Sequence, residues 1–301
     1  MPSLDKIAIL GTGLMGGSLG LALRRNGYAG LLAGWDRSEV LGQAVARGAI
    51  EEGFTELAAA MKGAKLVVLA TPVSTILRLL PEVFRLAERG TLVTDVGSTK
   101  QRICRLARKI LPEGVLFLGG HPMVGKATGG IGAADAELYR GCRYPLVGDQ
   151  STQQDERVRE FVGWIERIGA RPLWTDEETH DWAVAVMSHL PQLLSIALAS
   201  LAWDELDDDD LPIRFAGPAF HDLTRLADSP FEIWRDITQT NAENIERLLD
   251  RLIQRLDWIK MRLRESALEE EFAKAQQLRT RLRTLQETFG SQPIPRPEDS
   301  R

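Results

Sequence analysis

The sequence predicts an α/β fold in two parts: a doubly wound, largely parallel sheet domain, then an all-α domain. Three observations carry this. A glycine-rich turn joins an apolar run to a helical pattern near the N-terminus. Short apolar runs then alternate with helical stretches as far as Trp174, and from Asp176 onward only helical periodicity remains. The 301 residues suffice for two ordinary domains. They are placed at 1–175 and 176–290, with a proline-rich tail at 291–301 expected to be disordered.

Ile7 to Leu10 reads as the first strand, and Gly11, Gly13 and Gly16 fit G-x-G-x-x-G. Gly11 permits the tight turn, Gly13 lets backbone approach a pyrophosphate, and Gly16 lets the helix pack on the strand. The helix from Leu14 to Arg25 then presents its N-terminus to phosphates. The second apolar run, Leu31 to Trp35, ends at Asp36. A carboxylate there accepts from both ribose hydroxyls and repels a 2′-phosphate, which favours NAD over NADP. Arg37 next to it can also contact a phosphate. The expected contacts of a Rossmann-type dinucleotide-binding domain are Gly11, Thr12, Gly13, Leu14, Met15, Gly16, Asp36 and Arg37, with Thr71 and Pro72.

Ser38 is expected to cap a helix to about Arg47. Leu66 to Ala70 is a continuous apolar run, as in a parallel strand buried on both faces, and it delivers Thr71 and Pro72 to the carboxyl edge of the sheet. Ser74 or Thr75 caps the next helix, to Leu86. Leu92 to Asp95 carries Val96 to Lys100 to the same edge, before a basic helix from Gln101 to Leu111. Val115 to Leu118 leads into Gly119-Gly120-His121-Pro122. Tyr144 to Val147 and Arg171 to Trp174 flank a helix over Asp155 to Ile168 and close the sheet.

Asp176-Glu177-Glu178 is an acidic helix start, and periodic residues run on to Trp203. Asp204 to Asp210 reads as a solvated acidic loop. Ile245, Leu249, Leu252, Leu256, Ile259 and Leu263 form a heptad seam, followed by Leu268, Phe272, Ala275, Leu278, Leu282 and Leu285. Two such stripes exceed what a small domain can bury, so they are read as a homodimer interface rather than an intramolecular bundle.

A net charge of −5 argues against a general nucleic-acid surface. Cys104 and Cys142 offer neither a disulfide framework nor metal spacing and read as reduced, buried thiols. The chain enters its first strand without a leader, and no uninterrupted apolar run reaches the ~18 residues of a membrane span. The expectation is a cytoplasmic protein with no metal and no membrane or nucleic-acid partner.

Four polar residues converge where the sheet edge should meet the helical half. His121, at a glycine-flanked strand end, is placed to act as a general base near neutral pH. Ser98, one strand away, can bond the same substrate hydroxyl or orient the imidazole; it also fits a cap for the helix that follows. His189 lies on an apolar helical face and fits either a ligand or a core histidine. Arg225 can grip a carboxylate with two parallel bonds, or pair with Asp222 on its own turn. Lys126 is a second cation for a substrate anion. His180 and His221 lack glycine context and an obvious partner, and are read as structural.

With these residues in place the chain resembles the prephenate/arogenate dehydrogenase family. The resemblance rests on Gly11-Thr12-Gly13-Leu14-Met15-Gly16-Gly17-Ser18, Asp95-Val96-Gly97-Ser98-Thr99-Lys100, Gly119-Gly120-His121-Pro122-Met123 and Ser188-His189-Leu190-Pro191-Gln192. It continues through Thr224-Arg225-Leu226-Ala227, Ser229-Pro230 and Trp234-Arg235-Asp236-Ile237. It implies a helical dimerisation domain and NAD-dependent oxidative decarboxylation of prephenate in tyrosine biosynthesis. It also implies that His121 partners the hydroxyl with support from Ser98, and that His189 and Arg225 bind substrate, Arg225 through a carboxylate. The chain departs from the family where an acidic residue is usual: it has Ala127, with Lys126 beside it. A carboxylate gate against Arg225 is therefore absent, which leaves the side-chain specificity open. Competing readings are an arogenate dehydrogenase and a non-catalytic NAD-sensing dimer. A β-hydroxyacid dehydrogenase would use a lysine on the first all-helical stretch, but no lysine lies between Lys126 and Lys260.

Overall fold

The computed structural model describes residues 4–126, 128–206, 211–265 and 268–290. Ala127, the acidic stretch from Asp207 to Asp210 and the tail at 291–301 lie outside the described residues, so the expectations placed on them have no structural counterpart.

The strands are β1 (Lys6–Leu10), β2 (Leu31–Trp35), β3 (Glu52–Phe54), β4 (Leu66–Leu69), β5 (Leu92–Asp95), β6 (Leu116–Gly120), β7 (Arg143–Val147) and β8 (Arg171–Thr175). They form one sheet in the order β3-β2-β1-β4-β5-β6-β7-β8. All pairs are parallel except β6 with β7, which run antiparallel and share Gly119↔Val147 and Gly120↔Leu146. The order reverses direction between β1 and β4, which opens a crevice at their carboxyl ends. Ile7 and Ile9 face one core, Ala8 and Leu10 the other, so both faces of β1 are buried. That double burial is why the strand reads as an unbroken apolar run. The short edge strand β3 carries no such run and was not anticipated.

The helices of this half are α1 (Leu14–Arg25), α2 (Ser38–Ala46), α3 (Leu57–Met61), α4 (Val73–Leu86), α5 (Gln101–Ile110), α6 (Gln150–Gln154) and α7 (Glu156–Arg167). The helical half contains α8 (Glu177–Val184), α9 (Leu190–Asp204), α10 (Pro218–Thr224), α11 (Phe231–Thr240), α12 (Ala242–Met261) and α13 (Glu269–Gly290). Asp176 caps α8 by accepting from the N–H groups of Glu178 and Thr179. A π-helical turn, Ala185–His189, joins α8 to α9. Pro191 removes the N–H that would bond back to the carbonyl of Met187, which favours this local widening.

The expected caps of α4 and α5 differ in the structure. Neither Ser74 nor Thr75 caps α4, which begins at Val73; the Ser74 N–H donates to Asp236 Oδ2 of α11 at 2.8 Å. Ser98 does not cap α5. Asp181 of α8 does, accepting from the N–H groups of Lys100 and Gln101 at 2.7 and 2.9 Å. Carboxylates of the helical half thus close two open helix ends of the sheet half, where the helix dipole favours negative charge. Thr240 Oγ1 donates to the Asp236 carbonyl, so Thr99 Oγ1 is the donor in its 2.8 Å bond to Thr240 Oγ1.

The heptad seam divides. Ile245 and Leu248 of α12 are buried against Ala185 within the same chain, with Leu249 packed beside them. Leu256 and Leu263, then Phe272, Leu278 and Leu285, are exposed. The apolar surface extends over the rest of the helical half, with Trp203 74%, Phe215 80% and Phe231 70% exposed. One continuous helix, Glu177–Asp204, is long and apolar enough to cross a membrane by length and composition, although no uninterrupted run was read in the sequence. Its average is high because only a few uncharged polar residues, such as Ser188, His189 and Gln192, interrupt the apolar ones.

Candidate active site

The glycine turn between β1 and α1 is built for close approach. Gly11 has φ +98°, and a Cβ there would lie 2.7 Å from the Ala70 carbonyl oxygen. At Gly16 a Cβ would lie 1.9 Å from the Gly11 carbonyl oxygen. No side chain caps α1 at Gly13, and its first turn carries no acidic residue. Its leading N–H groups, at Leu14 and Met15, are therefore left for an anion. Asp36 is half-buried at the end of β2, accepting from the Thr12 N–H at 2.8 Å and the Arg37 N–H at 2.8 Å. The Arg37 side chain is exposed. Thr71 Oγ1, just past β4 and before Pro72, is buried without a partner among the described residues. A glycine cradle, an open helix end, a carboxylate and an orphaned hydroxyl fit a dinucleotide lying across the crevice.

Along the same edge, β6 delivers His121. Behind it Lys100 and Asp95 form a fully buried ion pair, and Lys100 Nζ also donates to the Gly120 carbonyl at 2.7 Å. Asp95 accepts from the Gly97 and Gly120 N–H groups at 2.8 and 3.2 Å. This pair locks the backbone just ahead of His121 and around Ser98. Ser98 is half-buried, and its hydroxyl has no hydrogen bond to any described residue.

His121 Nδ1 lies 2.9 Å from His180 Nε2, and His180 Nδ1 lies 2.8 Å from Asp181 Oδ1. His180 therefore has two partners, where the sequence offered no obvious one. The tautomers follow from the carboxylate. Asp181 accepts, so His180 carries its proton on Nδ1 and accepts on Nε2. His121 must then donate from Nδ1, which leaves its Nε2 lone pair free. Burial holds the His121 imidazole well below the ordinary histidine pKa, and His180, Lys100 and His189 push it the same way. At neutral pH the ring is an uncharged base.

His189 is set by Asn241. The Asn241 Nδ2 amide donates to the Asp181 carbonyl at 2.7 Å, which fixes its orientation, and lies 3.2 Å from His189 Nδ1. His189 Nδ1 therefore accepts and Nε2 carries the proton. Burial lowers its pKa to about 4, so it is a neutral donor and not a cation. Asn241 and Asp181 thus link His189 to the His180–His121 pair. Sequence reading missed His180, Asp181 and Asn241, because their partners lie 52 to 81 residues away and no local spacing marks them.

The two candidate cations lie in different settings. Lys126 Nζ donates to Asp135 Oδ2 at 3.0 Å and to the Ala133 carbonyl at 3.2 Å. The Asp135 N–H in turn donates to Ser18 of α1, so Lys126 braces a loop against the glycine-turn helix. Arg225 begins a 3₁₀ turn, Arg225–Asp228, that Gln192 of α9 holds by a 2.7 Å bond to the Leu226 carbonyl. Its side chain is exposed and makes no ion pair among the described residues, so the alternative pairing with Asp222 is not formed. Cys104 and Cys142 are free and buried, with thiol pKa values pushed up to about 12 by burial.

Comparison with known proteins points one way. A family model described as prephenate dehydrogenase, nucleotide-binding domain, matches residues 19–173, and one described as prephenate dehydrogenase, dimerization domain, matches 176–278. The prephenate dehydrogenase of Bacillus subtilis (strain 168) is 33% identical over 272 residues, covering 89% of this chain and 72% of the relative. The crystal structure of prephenate dehydrogenase from A. aeolicus, in complex with hydroxyphenyl propionate and NAD+, superposes with a TM-score of 0.83 at 29% identity, covering 94% of this chain and 99% of that one. Synechocystis arogenate dehydrogenase superposes with a TM-score of 0.73 at 30% identity, covering 95% and 98%.

Proposed function

The chain belongs to the prephenate dehydrogenase family, and from that premise we propose that it catalyses the NAD-dependent oxidative decarboxylation of prephenate to 4-hydroxyphenylpyruvate, in tyrosine biosynthesis. The observation that carries this reading is the neutral His121 imidazole, its Nε2 lone pair free, at the carboxyl edge of the sheet that also carries the glycine cradle. Residues 1–175 bind the dinucleotide and residues 176–290 complete the substrate site and pair two copies into a homodimer. Free buried thiols suit the reducing cytoplasm.

NAD, when bound, supplies the hydride acceptor. Gly11 to Gly16 seat its pyrophosphate and Asp36 its adenosine ribose. His121 Nε2 removes the proton of the ring hydroxyl, and the Ser98 hydroxyl bonds the same oxygen. The His189 Nε2–H and the Arg225 guanidinium hold the substrate's carboxylates from the helical side. Loss of carbon dioxide makes the ring aromatic, so the reaction runs one way. The similarity to an arogenate dehydrogenase supports a second reading, in which an amine replaces the side-chain keto group.

The test is NADH formation with prephenate and with arogenate, in the wild type and in His121→Asn. The expected result is higher kcat/KM with prephenate. The variant should lose turnover by on the order of 10²–10⁴ with its Kd for NAD unchanged. Near-normal turnover in His121→Asn removes it from the mechanism, and preference for arogenate selects the second reading.

A further inference from the structure

We propose that the proton taken from the substrate hydroxyl does not stay on His121 but passes to His180, where Asp181 holds the charge. This rests on the reading of His121 as the base. His180 and Asp181 reach the substrate only through His121, so they are positioning residues.

The geometry supplies a continuous path. His121 Nδ1 is 2.9 Å from His180 Nε2, and His180 Nδ1 is 2.8 Å from Asp181 Oδ1, all buried. The substrate O–H bond breaks as its proton bonds His121 Nε2. The His121 Nδ1–H bond breaks as that proton bonds His180 Nε2. The O–H electron pair becomes the second bond of the new carbonyl as hydride leaves for the acceptor named above. Neither imidazole changes oxidation state. Once product leaves, the same transfers in reverse return the proton to solvent through His121.

The neighbours decide where the charge rests. His121 faces Lys100 from the loop after β5, His180 from α8 and His189 from the π turn, with no carboxylate bonded to it. His180 faces Lys100 too, but it is bonded to Asp181 and feels Asp95 on β5. The Lys100 ammonium is itself paired with Asp95, which mutes its repulsion. Asp181 cannot swing away, because Lys100 N–H and Gln101 N–H hold both its oxygens. Burial lowers the pKa of both rings, while the bond to Asp181 pulls His180 back up. The resting pair is neutral, and an added proton is better held on His180. The pair titrates as one unit.

His180→Gln separates positioning from proton holding. The glutamine Oε1 can accept the Nδ1–H of His121 and keep its tautomer, but it cannot bind a proton. The expected result is unchanged NAD affinity, kcat reduced about 10–100-fold, and an acid limb of the kcat/KM profile moved to lower pH by at least about half a unit. The limb moves down because the remaining ring, without a carboxylate, is harder to protonate. Nitrogen NMR of ¹⁵N-histidine protein at pH 7 should show His121 and His180 each protonated on Nδ1 alone. Unaltered kcat, a loss of kcat with an unmoved limb, or His121 protonated on Nε2 overturns the proposal. If His180→Gln fails to fold, Asp181→Asn keeps an acceptor for one of the two backbone donors, and its acid limb should move the same way; an unmoved limb there also overturns it. Near-normal turnover in His121→Asn would sink the base assignment itself. An inactive His121→Asn beside a normal His180→Gln removes the relay alone.

Discussion

Lys126 and Arg225 carry the same charge in different circumstances. Lys126 already has Asp135 and a carbonyl as partners, so using it on a substrate would mean breaking both contacts. Arg225 has no such ties among the described residues, and the turn that carries it is fixed by Gln192. Its planar fork also matches a carboxylate better than an ammonium does. Arg225→Ala should therefore raise KM for prephenate at least about tenfold, ~1.4 kcal/mol, and leave the Kd for NAD in place. Steady-state kinetics with an NAD titration checks this; a KM within about twofold would transfer the anchor role to Lys126. At this scale the sequence was informative where chemistry and local context coincide, as at His121 between two glycines and a proline. It left His180 structural, because its imidazole partner lies 59 residues away.

At the scale of elements, strand and helix order could be read from apolar runs because both faces of the sheet are covered. Helix starts could not be read as well. Ser38, Ser74 and Ser98 are good local caps, yet no side-chain cap bond forms from them, and α4 and α5 receive their acceptors from α11 and α8. A cap that crosses between halves leaves no spacing signature. Asp236 is buried, which by itself raises its pKa; hydrogen bonds from Ser74 and the Arg235 guanidinium outweigh that, and the net shift is downward. Its contribution to stability is therefore complete above the ordinary aspartate pKa of about 4 and is lost as pH falls through the lower folded value. Asp236→Ala should cost about 1–2 kcal/mol at pH 7 in urea unfolding, and the gap from wild type should narrow under acid conditions. A gap that is absent at pH 7 would mean water replaces the cap at no cost.

Over the whole molecule, the helical half exposes Trp203, Phe215, Phe231, Leu256 and Phe272, large apolar side chains of the kind an association surface covers. The seam predicted for dimerisation is split: its start, at Ile245 and Leu249, holds α12 to its own chain, while Leu256, Leu263, Phe272, Leu278 and Leu285 are exposed. Sequence periodicity alone could not divide it, since a heptad does not say which chain supplies the other side. Sedimentation should give twice the 33.4 kDa chain mass, with a melting temperature that rises with protein concentration. Trp203→Glu should weaken association at least about tenfold, ~1.4 kcal/mol; an unchanged dimer constant would place the interface elsewhere. The carboxylates of Asp181 and Asp236 also bear on how genes of this kind can be cut and rejoined. A hybrid joining this nucleotide-binding half to another relative's helical half inherits two uncapped helix ends unless the guest brings acceptors to the same two places. Module exchange at residue 175 then depends on two side chains of the incoming half, however well the remaining surfaces match.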